Sequence, residues 1–78
     1  MKPDYSYAYN NRGFLKYQLK DFRGAISDYS TVIKIDPTYP VPYYNRGLAK
    51  SKIKDFNGAL NDYNNAIKLK PDYAIAYN

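Results

Sequence analysis

The sequence predicts an all-α chain of two stacked helix–turn–helix repeats, and three observations carry that reading. First, the chain repeats itself. Pro3, Pro37 and Pro71 are spaced evenly (37 − 3 = 34 and 71 − 37 = 34), and the same offset carries Tyr9 to Tyr43 to Tyr77 and Gly13 to Gly47. It also carries Asp21-Phe22 to Asp55-Phe56, Gly24-Ala25 to Gly58-Ala59 and Asp28-Tyr29 to Asp62-Tyr63. Residues 9–37 and 43–71 are identical at 15 of 29 aligned positions. Second, apolar residues recur at spacings of three and four, which places them on one face of a helix. Third, no stretch of useful length alternates apolar and polar residues as a half-buried strand does.

The elements follow in order. A first helix is expected over 7–19, where Ala8, Leu15 and Leu19 stand among aromatics. Gly13 inside it costs roughly 1 kcal/mol relative to alanine, a cost that close approach of a partner helix would offset. Lys20-Asp21-Phe22 is the turn, with Asp21 placed to cap the free N–H groups of the next helix. The second helix, 23–35, builds one apolar stripe from Ala25, Ile26, Tyr29, Val32 and Ile33. Pro37 closes it, because proline disfavours helical geometry in the residue before it. Pro40 and Pro42 fall in the first turn of a third helix, about 41–53, where a missing N–H costs little. Asp55 repeats the cap, and a fourth helix over about 57–69 ends before Pro71. Read this way, residues 1–78 form one repeat domain, with repeat one at 6–39, repeat two at 40–73 and a third begun at 74–78.

Composition narrows function. Cysteine, histidine and glutamate are all absent, so disulfides, zinc–thiolate sites and histidine acid–base chemistry are excluded, and seven aspartates are the only side-chain carboxylates. No two of them are closer than seven residues, which argues against a metal cluster. Ser51 between Lys50 and Lys52 is the only local hint of a nucleophile, but neighbours in a helix point about 100° apart, so neither lysine faces the hydroxyl. No glycine spacing cradles a phosphate. The sequence therefore reads as non-enzymatic, with no cofactor and no metal. No apolar stretch is long enough to span a membrane, and nothing after Met1-Lys2-Pro3-Asp4 reads as a signal peptide. With cysteine absent as well, the expected location is the cytoplasm.

The period, the hairpin unit and its markers resemble the tetratricopeptide repeat. Its aromatic near the start of the first helix is matched by Tyr9 and Tyr43, and its glycine four residues on by Gly13 and Gly47. Ala25 and Ala59, Tyr29 and Tyr63, then Val32 and Ala66 match the second helix, and Pro37 and Pro71 close each unit. The resemblance implies a short right-handed superhelical solenoid whose concave surface is lined by the first helix of each repeat. It also implies binding of short peptide segments there. Helical spacing assigns Tyr7, Asn10, Asn11, Phe14 and Tyr17 to that groove in repeat one. Val41, Tyr44, Asn45, Leu48 and Lys52 are assigned to it in repeat two. The competing reading is that these residues pack between adjacent first helices, Phe14 and Leu48 above all. A chaperone-tail clamp of the family's kind is not present: Asn45 fits it, but Asn10, Phe14 and Ile75 stand where lysine, asparagine and lysine are required.

Two departures from the family pattern are informative. Lys20 and Lys54 occupy the turn position that is usually glycine. Arg12 and Arg46 replace the leucine before the glycine, on a face turned to the second helix, and need partners there. Asp28 and Asp62 recur in step, so the pairs Arg12–Asp28 and Arg46–Asp62 are expected as structural links. The implied partner is a protein or peptide. Two other classes stay open. Leu60, Ile67 and Leu69 on the last helix would form an apolar strip suited to self-association, as a dimer or a head-to-tail stack. A charge of +5 with eleven tyrosines admits nucleic-acid binding, although the basic residues are spread along the chain rather than gathered.

Overall fold

The protein is described by a computed structural model over residues 5–70. Four helices occupy them: α1 (Tyr5–Gln18), α2 (Phe22–Ile35), α3 (Pro40–Lys52) and α4 (Phe56–Leu69). α1 pairs with α2 and α3 with α4 as two hairpins, α2 packs against α3, and α1 meets α3 only briefly. The arrangement is an all-α helical repeat stack. Helix α1 begins two residues before the expected start, since Tyr5 and Ser6 offer nothing that breaks a helix; the other boundaries fall within one residue. The opening of a third repeat, 74–78, lies outside the described residues.

The two turns between paired helices are built alike. Lys20 N–H donates to Tyr17 C=O at 2.9 Å and Asp21 N–H to Lys16 C=O at 2.8 Å, the pair of bonds that closes a helix on a left-handed residue. Lys54 and Asp55 repeat this against Ser51 and Lys50 at 3.1 and 2.9 Å. Lys20 and Lys54 pay for the geometry with φ of 67° each, in the region where a Cβ costs about 1 kcal/mol. The next residue then starts the second helix: Asp21 Oδ1 accepts from Gly24 N–H and Asp55 Oδ1 from Gly58 N–H, both at 3.1 Å. Between hairpins, Asp36 Oδ1 accepts from the Thr38 hydroxyl at 2.7 Å and from its N–H at 3.2 Å, and α3 opens after extended Tyr39, which makes no side-chain capping bond, with Pro40 in its first turn. Tyr43 adds a hydroxyl bond to Pro37 C=O at 3.2 Å.

Most of the buried apolar residues are small. Ala25, Ala49, Ala59 and Ala66 are buried with Val32, and Tyr29 supplies the one large core side chain. Burial without a matching gain for the charged form pushes the Tyr29 phenol up to about 12. Gly13 and Gly47 are buried beneath the rings of Tyr29 and Tyr63. A Cβ at Gly13 would lie 2.9 Å from Tyr29 Cε1 and 3.2 Å from Asp28 Cβ; at Gly47 it would lie 2.7 Å from Tyr63 Cε1. These contacts explain why a poor helix former stands in mid-helix.

Two outcomes follow. Gly13→Ala gains about 1 kcal/mol of helix propensity but overpacks a site worth about 1–3 kcal/mol, and Tyr29, wholly buried, has nowhere to move. Net destabilisation is expected by urea titration, smaller for Gly47→Ala because Tyr63 is only half-buried. Lys54→Gly relieves the left-handed strain, so the melting temperature is expected to rise by roughly 4–8 °C per kcal/mol recovered.

Candidate functional site

Each hairpin is crossed by a buried carboxylate held by two cations. Arg12 Nε and Nη2 donate to Asp28 Oδ2 and Oδ1 at 2.9 and 2.8 Å, and Lys16 Nζ lies 3.3 Å from the same carboxylate. Arg46 and Lys50 hold Asp62 in the same way, at 2.8, 2.7 and 3.1 Å. The lysines were legible but missed: each stands four residues after its arginine, on the same helix face, and recurs at the repeat period. Arg46 also donates from Nη1 to Ser30 Oγ at 3.0 Å, tying α3 to α2. Both guanidinium groups lie over a tyrosine, Arg12 over Tyr9 at 5.4 Å and Arg46 over Tyr43 at 5.9 Å.

The hydrogen bonds from Arg12 hold the Asp28 carboxyl below the ordinary carboxylate range, against burial that pushes it up, with Lys16 adding to the lowering. The bidentate fork is a positioning device: it fixes both register and rotation of the paired helices. Four of the twelve basic residues are spent in these two centres. Among the described residues no group of three acidic, histidine or cysteine side chains converges as a metal site, and no helix is long and apolar enough to cross a membrane.

The residues assigned to the groove divide by environment. Tyr7, Asn11, Phe14 and Lys52 are exposed, with Tyr7 at 59% and Phe14 at 51%. Asn10, Tyr17, Val41, Tyr44, Asn45 and Leu48 are half-buried. Tyr17 packs edge-on against Phe22 with ring centres 5.3 Å apart, and Tyr44 lies 5.8 Å from Tyr63 of α4, so both serve their hairpins as well. Phe14 is thus not consumed by packing between first helices. The Asn10 Oδ1 atom is buried with no hydrogen-bond partner. A cleft of about 340 Å³ joins the two repeats, lined by Phe14, Tyr17, Gln18, Lys20, Phe22 and Lys52. Gln18 was legible but missed, since it stands four residues after Phe14 on α1 and is the repeat equivalent of Lys52; Lys20 and Phe22 were not anticipated, because a chain reversal that helical spacing does not encode brings them to the end of α1.

Two hairpins of one construction, stacked through α2 and α3, define a helical-repeat scaffold. A family model described as TPR repeat matches residues 15–54, and one described as tetratricopeptide repeat matches residues 40–73. The chain belongs to the tetratricopeptide repeat family, whose repeats in general mediate protein–protein interaction. No curated protein matches the chain.

The two carboxylate centres are predicted to differ in weight. Asp62 is fully buried and its cations are only 18% and 19% exposed, so Asp62→Ala is expected to cost about 3 kcal/mol by chemical denaturation. Asp28→Ala is expected to cost less, because solvent screens Arg12, whose side chain is 57% exposed. Since the folded Asp28 titrates below its unfolded value, its contribution is complete above about pH 4 and fades as pH falls through the folded value. Stability measured against pH is expected to lose part of its acid limb in Asp28→Ala.

Proposed function

We propose that the chain is a non-enzymatic module that binds a partner peptide across α1 and α3. The observation that carries this reading is the cleft where Phe14 and Tyr17 of α1, Phe22 of α2 and Lys52 of α3 converge. A phenylalanine half exposed beside two other rings offers an apolar anchor, and burying such a side chain stabilises a complex by roughly 1.5–3 kcal/mol. Lys20 and Lys52 on the same cleft favour a peptide that carries a carboxylate beside its apolar anchor. Exposed Asn11 supplies hydrogen bonds for a peptide backbone, of the kind that fixes an extended or helical segment in a groove. Support is independent of charge alone: four basic side chains are neutralised on buried aspartates, which weakens the case for a phosphate-binding surface.

Selection from a random peptide library on the immobilised chain, followed by calorimetric titration of the selected peptides, tests the assignment. Phe14→Ala is expected to weaken binding tenfold or more, about 1.4 kcal/mol, and to leave helicity unchanged. Lys34→Ala, an exposed change on α2, is expected to bind as the parent does. Equal affinity in Phe14→Ala and the parent would remove the cleft as the binding site.

A further inference from the structure

An asparagine followed by glycine is where a main chain most readily attacks its own side chain, because glycine sets no side chain against the approach. Seven asparagines stand among the described residues, and Asn57 alone of them precedes a glycine. It lies in the first turn of α4 and is exposed. Its equivalent in repeat one is Arg23, with Gly24 behind it, so the amide is particular to the second hairpin. The glycine itself is not free to change. A Cβ on Gly58 would lie 2.8 Å from Asp55 Cγ and 3.0 Å from Asp55 Oδ1, and would displace the residue that caps α4.

The reaction begins when the Gly58 nitrogen, freed of its proton, reaches Cγ of Asn57. The N–Cγ bond forms, the Cγ–Nδ2 bond breaks, and Nδ2 leaves as ammonia with the proton that Gly58 gave up. Water then opens the cyclic imide at either carbonyl, leaving aspartate or, with the main chain routed through the side chain, isoaspartate. Three features of the fold oppose the first step. Gly58 N–H donates to Asp55 Oδ1 at 3.1 Å, so the attacking nitrogen is engaged. The carboxylate charge beside that nitrogen disfavours the anion through which it attacks. The ring also brings Cβ of Asn57 and the next nitrogen nearly into eclipse, which helical ψ does not allow.

We propose that Asn57 is a site of spontaneous modification to aspartate or isoaspartate, and that the Asp55 cap gates it by holding the Gly58 nitrogen. The residue reacts from the state in which the first turn of α4 has opened, and helix ends open at low cost. The two products pull in opposite directions. Aspartate sets a negative charge in a first turn that has no acidic residue, where the helix dipole favours one. Isoaspartate adds a methylene to the main chain before Gly58, which carries that residue out of register with Asp55 and undoes the cap. Either product lowers the net charge of +5 by one. No residue of α4 lines the peptide cleft, so the modification stands or falls apart from the binding assignment.

Timed incubation of the full chain at neutral pH and physiological temperature, followed by peptide-mapping mass spectrometry, measures conversion at each asparagine. The wild type is expected to convert at Asn57 ahead of every other described asparagine, and more slowly than the same chain unfolded in guanidinium chloride. Asp55→Ala removes the bond to Gly58 and is expected to convert about fivefold faster, the gain in opened turn that loss of a typical N-cap brings. Asp21→Ala removes the equivalent bond to Gly24 in repeat one and is expected to leave the Asn57 rate unchanged. An Asp55→Ala rate equal to the wild type's overturns the gate, as does equal acceleration by Asp21→Ala, which would trace the effect to global stability. Conversion at another described asparagine ahead of Asn57, or a folded chain that converts as fast as the unfolded one, overturns the proposal as well. Should Asp55→Ala unfold, Asp55→Gly replaces it under the same expectations, since glycine is tolerated at an N-cap but offers Gly58 no side-chain acceptor.

Discussion

Everything in this fold depends on how closely the two helices of a hairpin approach, and one four-residue constellation sets that distance. Arg12 and Gly13 of α1 face Asp28 and Tyr29 of α2; Arg46 and Gly47 face Asp62 and Tyr63 in the second hairpin. The glycine removes the side chain that would hold the helices apart, and the tyrosine ring fills the space. The adjacent arginine and aspartate then fix the rotation, because a bidentate pair tolerates little change in angle. A buried ion pair adds little net stability against an apolar pair of the same volume. Its weight here lies in geometry: with alanines providing most of the core, hydrophobic packing alone would leave the helices free to slide.

That constellation also decides where charge is available. Holding each aspartate takes an arginine and a lysine, so each centre is a compact cationic group on the flank of a first helix, not an open anion site. Lys20 and Lys52 take no part in these centres, and both line the cleft between the repeats. Lys20 stands there because the turn must pass through a left-handed residue, so a backbone requirement of the hairpin delivers a side chain to the surface that a peptide would touch.

The hairpins, their turns and the arginine–aspartate pairs were legible because each is local or repeated. Asp21 and Asp55 cap through bonds three residues away, and a period of 34 residues shows twice over which positions answer to one another. What the sequence did not convey is the unequal environment of equivalent residues. Ala8, Leu15 and Leu19 read as the apolar positions of a first helix; in repeat two their equivalents Pro42 and Ala49 are buried and Ile53 is half-buried, with Ala49 packed in one cluster with Ala25 and Tyr29 of α2. In repeat one nothing among the described residues covers them. Periodicity reports which residues share a face; it is silent on whether that face has a neighbour. Helical spacing placed Phe14, Tyr17 and Lys52 of the cleft, and the rest escaped in part for a related reason, since Phe22 and Lys20 reach it through the turn and not along a helix.

A repeat fold makes this inequality functional. In a globular core, an exposed leucine stripe is a defect to be explained; in a stack, it is the surface that the previous unit would meet, retained because every unit is built from the same residues. The Arg46–Ser30 bond shows what the contact requires beyond apolar area: a guanidinium already anchored on one side by a carboxylate, with one nitrogen left to cross to the next helix. Arg12 is anchored in the same way by Asp28, and its side chain is 57% exposed. The pair that locks a hairpin is thus also the group that addresses its neighbour. Stability within a unit and recognition between units rest on the same arginine.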